Sequence, residues 1–173
     1  MHFFRSMIVS PDSRILWGGM VLLCLFLEAV ALFYQYQLDY LPCVLCVHVR
    51  MLLAVLLLIG IVALVARPKP VFSLVLFALA TLIWLWMLER SWQLLGVEMG
   101  FIMGDCEMSS GLPAWLALEK WFPFIFEIHE PCGYTPYVFM KLTMAQVLLA
   151  MSAVFSLVFI ASLLVHTGRH IRQ

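Results

Sequence analysis

Pro42-Cys43-Val44-Leu45-Cys46-Val47-His48-Val49-Arg50 opens a run that stays apolar to Ala66, apart from His48 and Arg50 themselves. A helix needs roughly 20 such residues to cross the hydrocarbon core of a bilayer, so Val44 to Ala66 spans one. The two cysteines sit at its head, about a turn apart, where the first backbone N–H groups of a helix lack partners and favour a thiolate over a thiol. By itself the spacing serves redox exchange and zinc binding about equally, with the packing of two small side chains a little behind.

Composition places the chain in its class. Hydrophobic residues make up 65% of its 173 positions and charged ones 12%, far from the balance of a soluble domain. The formal net charge is zero with no basic block, so nothing points to a nucleic-acid partner. Three further apolar runs flank the central one: Ile15 to Tyr36 with the single acid Glu28, Val71 to Leu88, and Thr143 to Val165. The first is too long for the core of a cleaved signal peptide, and Phe33-Tyr34-Gln35-Tyr36 reads as an interfacial end. The expected fold is therefore an all-α membrane protein, a four-transmembrane-helix bundle forming one domain over 1–173. Its spans fall at about 15–36, 44–66, 71–88 and 143–165.

Four spans put both termini and the turn Arg67-Pro68-Lys69-Pro70 on one side, and the loops 37–43 and 89–142 on the other. Arg5, Arg14, Arg67, Lys69, Arg169 and Arg172 fall on the first side, against Arg90, Lys120 and Lys141 on the second. By the positive-inside rule the first side is cytoplasmic, and Cys43, Cys46, Cys106 and Cys132 face outward. In a Gram-negative bacterium that compartment is the oxidising periplasm, where thiols not held by metal become disulfides; zinc loses ground. The fifth cysteine, Cys24, lies inside the first apolar run and reads as a small buried side chain.

The second outer loop is long for so small a protein. Within it, Gly111 to Phe126 is aromatic and apolar, with a Glu119-Lys120 pair and two prolines. Too interrupted to span, it is expected to lie in the interface as a short amphipathic helix, the alternative being a loop packed over the bundle. Cys106 and Cys132 bracket it; a disulfide between them would contribute about 3 kcal/mol in the chain-entropy model. That bond reads either as a structural staple or as one of two accessible pairs able to exchange. Arg50, one turn beyond Cys46 on the same helix face, could lower the pKa of that sulfur and hold negative charge on a bound acceptor, or could snorkel to the headgroups. Glu28 is an ionisable group inside a span and a functional candidate for that reason. His48 points away from Cys46 and reads as a packing or interfacial residue.

The order of four spans, Pro42-Cys43-Val44-Leu45-Cys46 at the start of the second, Arg50 four residues on, and a cysteine pair bracketing Pro113-Ala114-Trp115-Leu116 and Lys120-Trp121 together resemble the DsbB family of bacterial inner-membrane disulfide bond formation proteins. Leu27-Glu28-Ala29-Val30-Ala31-Leu32-Phe33-Tyr34-Gln35 resembles the family's Glu-containing stretch, and the likeness covers nearly the whole chain. It implies a quinone-dependent oxidoreductase that reoxidises a DsbA-like periplasmic thiol oxidase and passes the electrons to ubiquinone or menaquinone. Cys106 would be attacked by the reduced partner, with Cys132 as its mate. Cys43 and Cys46 would reoxidise that pair, and Cys46 would face the quinone beside Arg50. DsbA is a strong oxidant at about −120 mV, so its reoxidation calls for an acceptor of higher potential, which a membrane quinone supplies.

Two positions depart from the family pattern. Val49 stands before Arg50 where an acid is frequent, and Met99 follows Glu98 where a histidine is familiar. They leave room for a specialised paralogue with a dedicated DsbA-like partner. Two other readings stand beside these: a vitamin K epoxide reductase-like enzyme, whose cysteine motif lies in a late span, and a non-catalytic membrane subunit with structural disulfides.

Overall fold

The computed structural model describes residues 14–66, 70–103, 122–126, 128, 137–139 and 142–171. Its long helices are α1 (Arg14–Gln37), α2 (Val44–Val65) and α3 (Pro70–Glu98). A single-turn α4 (Pro123–Phe126) and a ribbon of β1 (Tyr137–Phe139) with β2 (Leu142–Thr143) precede the last, α5 (Met144–Ile171). The four long helices are each apolar and long enough to cross a membrane. The expected all-α, four-span bundle is the fold observed.

Packing follows chain order around the bundle: α3 lies most closely on α5, α1 on α2, and α2 on α3. One stripe of α1, Met20, Cys24, Leu27, Ala31 and Gln35, is buried at helical spacing. Cys24 is fully buried, in keeping with a packing role. Gly60 of α2 lies close to α1: a Cβ there would come within 2.6 Å of Val21 Cγ2. Small residues at such crossings let membrane helices approach, because lipid offers no hydrophobic drive to bring them together. At the end of the bundle where α1 begins and α5 finishes, Trp17, Phe77 and Phe159 interlock, with Trp17 and Phe77 ring centroids 4.8 Å apart. That cluster joins α1, α3 and α5 at the end opposite the cysteine motif.

α3 runs ten residues past Leu88, where its strongly apolar stretch ends. Two causes carry it on. Polar side chains bond along the exposed face, Gln93 Nε2 to Glu89 Oε1 at 2.8 Å and Arg90 Nη1 to Gln93 Oε1 at 3.2 Å. Meanwhile Ser91, Leu94 and Leu95 stay buried on the inner face. Val71–Glu98 has 28 residues, about 42 Å at roughly 1.5 Å per residue, against a hydrocarbon core of about 30 Å. The helix stops at Gly100, whose φ of 77° is a left-handed conformation that glycine adopts without strain.

The sequence reading assigned no strand to the second loop. Tyr137 pairs with Thr143 and Phe139 with Leu142 across a bulge, a ribbon too short for alternation to be legible in sequence. It delivers the chain to a capping box at α5: Gln146 N donates to Thr143 Oγ1 and Thr143 N to Gln146 Oε1, both at 3.4 Å. Of the interfacial element expected over Gly111–Phe126, the last residues form α4, with Phe122 and Phe124 exposed and Phe126 buried. Residues 104–121 lie outside the described residues, as do Cys106 and Cys132.

Candidate functional site

The α1–α2 connection is a tight turn. Tyr40 N donates to Tyr34 O at 3.1 Å, and Asp39 takes a φ of 53°, a left-handed conformation that Asp tolerates better than most side chains. The turn sets Cys43 as the N-cap of α2, with extended dihedrals and a sulfur that accepts from Cys46 N at 3.4 Å. A cysteine here does what Ser or Asp does at other helix starts, satisfying an orphan N–H of the first turn. Cys43 and Cys46 are free thiols; Cys43 is 3% exposed and Cys46 half-buried. The Cys43 thiol, just outside the helix, is held well above the ordinary thiol range, first by its side-chain hydrogen bond with Cys46 and then by burial.

Cys46 opens onto a cleft enclosing about 750 Å³ of empty space, its open mouth included. Leu27, Ala31 and Tyr34 of α1 form one wall, and Tyr40, Leu41 and Pro42 of the turn form the rim. Cys46, Val49, Arg50 and Leu53 of α2 form the second wall, with Leu94 of α3 and Met144 and Leu148 of α5 behind. Thus all four long helices contribute. The lining is mostly apolar, with one thiol and one guanidinium placed a helical turn apart.

Arg50 does not snorkel; it is 6% exposed. Its Nη1 donates to Gln35 Oε1 and to Ile125 O at 3.0 Å, and its Nη2 donates to Ala31 O at 3.1 Å. Arg50 therefore ties α2 to α1 and to α4. The α4 turn is also held by Tyr36, whose hydroxyl donates to Phe124 O, and by Gln35 Nε2, 3.5 Å from the same oxygen. Glu28 lies a turn before Ala31, and its Oε1 is buried with no hydrogen-bond partner among the described residues.

The structure brings together Cys43, Cys46 and Arg50; Cys106 and Cys132 are outside its described residues. Sequence reasoning missed Gln35, taken as part of an interfacial end, yet it is 9% exposed and bonded to Arg50. The signal was present: Gln35 continues the stripe Leu27, Ala31 at four-residue spacing. The walls from α3 and α5 had no such signal. Val49, the departure next to Arg50, is buried and apolar on the cleft wall, while Met99 is 64% exposed beyond the end of α3.

Comparison with known proteins bears on this arrangement. The family model described as disulfide bond formation protein DsbB matches residues 13–162. The chain belongs to the DsbB family of disulfide bond formation proteins. Among DsbB relatives, disulfide bond formation protein B of Aeromonas salmonicida is 32% identical over 152 residues, covering 85% of this chain and 86% of that protein. Its namesake in Photorhabdus laumondii is 31% identical over 152 residues, 85% and 87% of the two chains. That of Shewanella amazonensis is 29% identical over 164 residues, with 91% and 94% covered. The DsbB match takes in α1 to α3, the cysteine motif, the second loop and most of α5.

Proposed function

We propose that this DsbB-family chain reoxidises a DsbA-like dithiol oxidase in the bacterial periplasm and delivers the electrons to membrane quinone. It sits in the inner membrane with both termini cytoplasmic and its reactive cysteines outside. The observation that carries the reading is the cleft: one cysteine sulfur and one buried guanidinium share a wall of a mostly apolar cavity lined by all four membrane-spanning helices.

The roles follow from the residues. Reduced partner attacks the Cys106–Cys132 disulfide; its two thiols become a disulfide and the loop pair becomes a dithiol, two electrons and two protons having moved. The loop pair is restored by exchange with a Cys43–Cys46 disulfide, which becomes the dithiol in turn. A quinone, when bound, supplies an acceptor for two electrons and two protons. Leu27, Ala31, Val49, Leu53 and Leu148 would hold its ring by burial, Cys46 would face it, and Arg50 would donate to a ring oxygen. Cys43, 3% exposed, has its thiol held above the ordinary range by its side-chain hydrogen bond with Cys46 and by burial.

The test is oxidation of a reduced DsbA-type protein by the purified full chain with ubiquinone-1 or a short-chain menaquinone. Quinone-dependent turnover abolished by Cys43→Ser, Cys46→Ser, Cys106→Ser and Cys132→Ser singly supports the reading. Turnover that survives Cys43→Ser would instead make these disulfides structural staples.

A further inference from the structure

Arg50 has an unusual set of partners for a cation buried at a membrane-spanning helix. All three are neutral oxygens: the Gln35 amide, the Ala31 carbonyl and the Ile125 carbonyl. A carboxylate in the place of Gln35 would orient the guanidinium equally well and cancel its charge. An amide orients it without adding a second carboxylate to Glu28, which already lies within electrostatic reach of Arg50. A guanidinium carries five N–H donors. Both of Nη1 and one of Nη2 are engaged, so the Nε–H and one Nη2–H have no partner among the described residues. Arg50 lines the cleft.

We propose that Gln35 is a positioning residue: its buried amide oxygen fixes the Arg50 guanidinium against α1 so that its remaining donors serve an electron-rich ring oxygen in the cleft. The inference rests on the quinone reading above and adds to it a residue on a different helix from the cysteine motif. Gln35 is suited to the task because its own position is overdetermined. Its backbone is in α1, its side chain is 9% exposed, and its Nε2 reaches Phe124 O at 3.5 Å while its Oε1 receives Arg50. With the amide's two ends in contact with different neighbours, rotation that exchanged them would lose both bonds. Without Gln35, Nη1 retains only Ile125 O, on the single-turn α4, and the Nη2 bond to Ala31 O is the one hydrogen bond left between the guanidinium and α1 among the described residues.

The experiment measures equilibrium binding of ubiquinone-1, by titration calorimetry, to detergent-purified full chain freed of quinone. The proteins are wild type, Gln35→Leu, Arg50→Met and the double variant, with thermal unfolding followed in parallel. Losing one charge-assisted contact is expected to weaken ubiquinone-1 binding about tenfold in Gln35→Leu. In the double variant, Gln35→Leu is expected to add nothing to the loss caused by Arg50→Met, because its effect runs through that side chain. Should Gln35→Leu fold poorly, Gln35→Glu keeps an acceptor at the same place and is expected to weaken binding through charge cancellation with an unfolding temperature near wild type. Wild-type binding unchanged in Gln35→Leu, or losses that add in the double variant, overturns the positioning role while leaving the acceptor reading intact. A wild-type chain that binds no ubiquinone-1 and no short-chain menaquinone overturns both.

Discussion

Replacing Arg50 by Met keeps a long unbranched stem in the same space and removes every donor, which isolates what the guanidinium does for the fold. The structure assigns it three hydrogen bonds, to Gln35 Oε1, Ala31 O and Ile125 O. Bonds from charged donors contribute about 1.5–3 kcal/mol each in soluble proteins, whereas side-chain bonds between membrane helices average about 0.6 kcal/mol. Arg50 lies near the end of its span, and Met also relieves the cost of burying a cation, so the lower figure governs. Three bonds at that value give a loss of about 2 kcal/mol for Arg50→Met. Gln35 Oε1 and Ile125 O are the atoms left short, and Ile125 belongs to α4. The loss should therefore be local as well as global, with the chain around 122–126 released. Reversible unfolding in mixed micelles reads the first effect, and the rate of limited proteolysis around 122–126 reads the second. A variant as stable as wild type, with unchanged proteolysis, refutes the reasoning, because the guanidinium would then hold nothing that Met does not.

Gly60→Ala sets a helix-propensity gain of about 1 kcal/mol against an overpacking cost of about 1–3 kcal/mol. The Cβ lands 2.6 Å from Val21 Cγ2, a side chain stiff about χ1, so net destabilisation of about 1 kcal/mol is expected in micelle unfolding, and more for Gly60→Leu. In the reduced protein at pH 8, iodoacetamide should modify Cys46 ahead of Cys43 by about tenfold or more, read by mass spectrometry. The raised Cys43 thiol lacks thiolate at that pH and is 3% exposed, and its rate should climb as pH rises toward its own titration. Thr143→Val keeps the buried shape and removes the acceptor for Gln146 N, so it should cost about 1 kcal/mol and fray the start of α5 in hydrogen exchange.

Read alone, the sequence was enough to establish four apolar spans, a cysteine pair at the head of the second, and Arg50 a turn further on, because all three are local. Span length is a property of consecutive residues, and helix periodicity places Cys46 and Arg50 on one face before any neighbour is known. The continuation of α3 to Glu98 was hidden because its outer end is held by polar pairs along the helix and by Ser91, Leu94 and Leu95 on an inner face that only the bundle defines. Gln35 was misjudged for the same reason. An amide at the end of an apolar run has no signature separating a headgroup contact from a buried bond to a guanidinium on the next helix. The cleft is likewise a tertiary object: Leu94, Met144 and Leu148 reach Cys46 only because α3 and α5 pack beside α1 and α2. Chemistry-bearing side chains are written in the sequence one element at a time, while the direction in which a buried charge points depends on which neutral oxygens other helices bring to it.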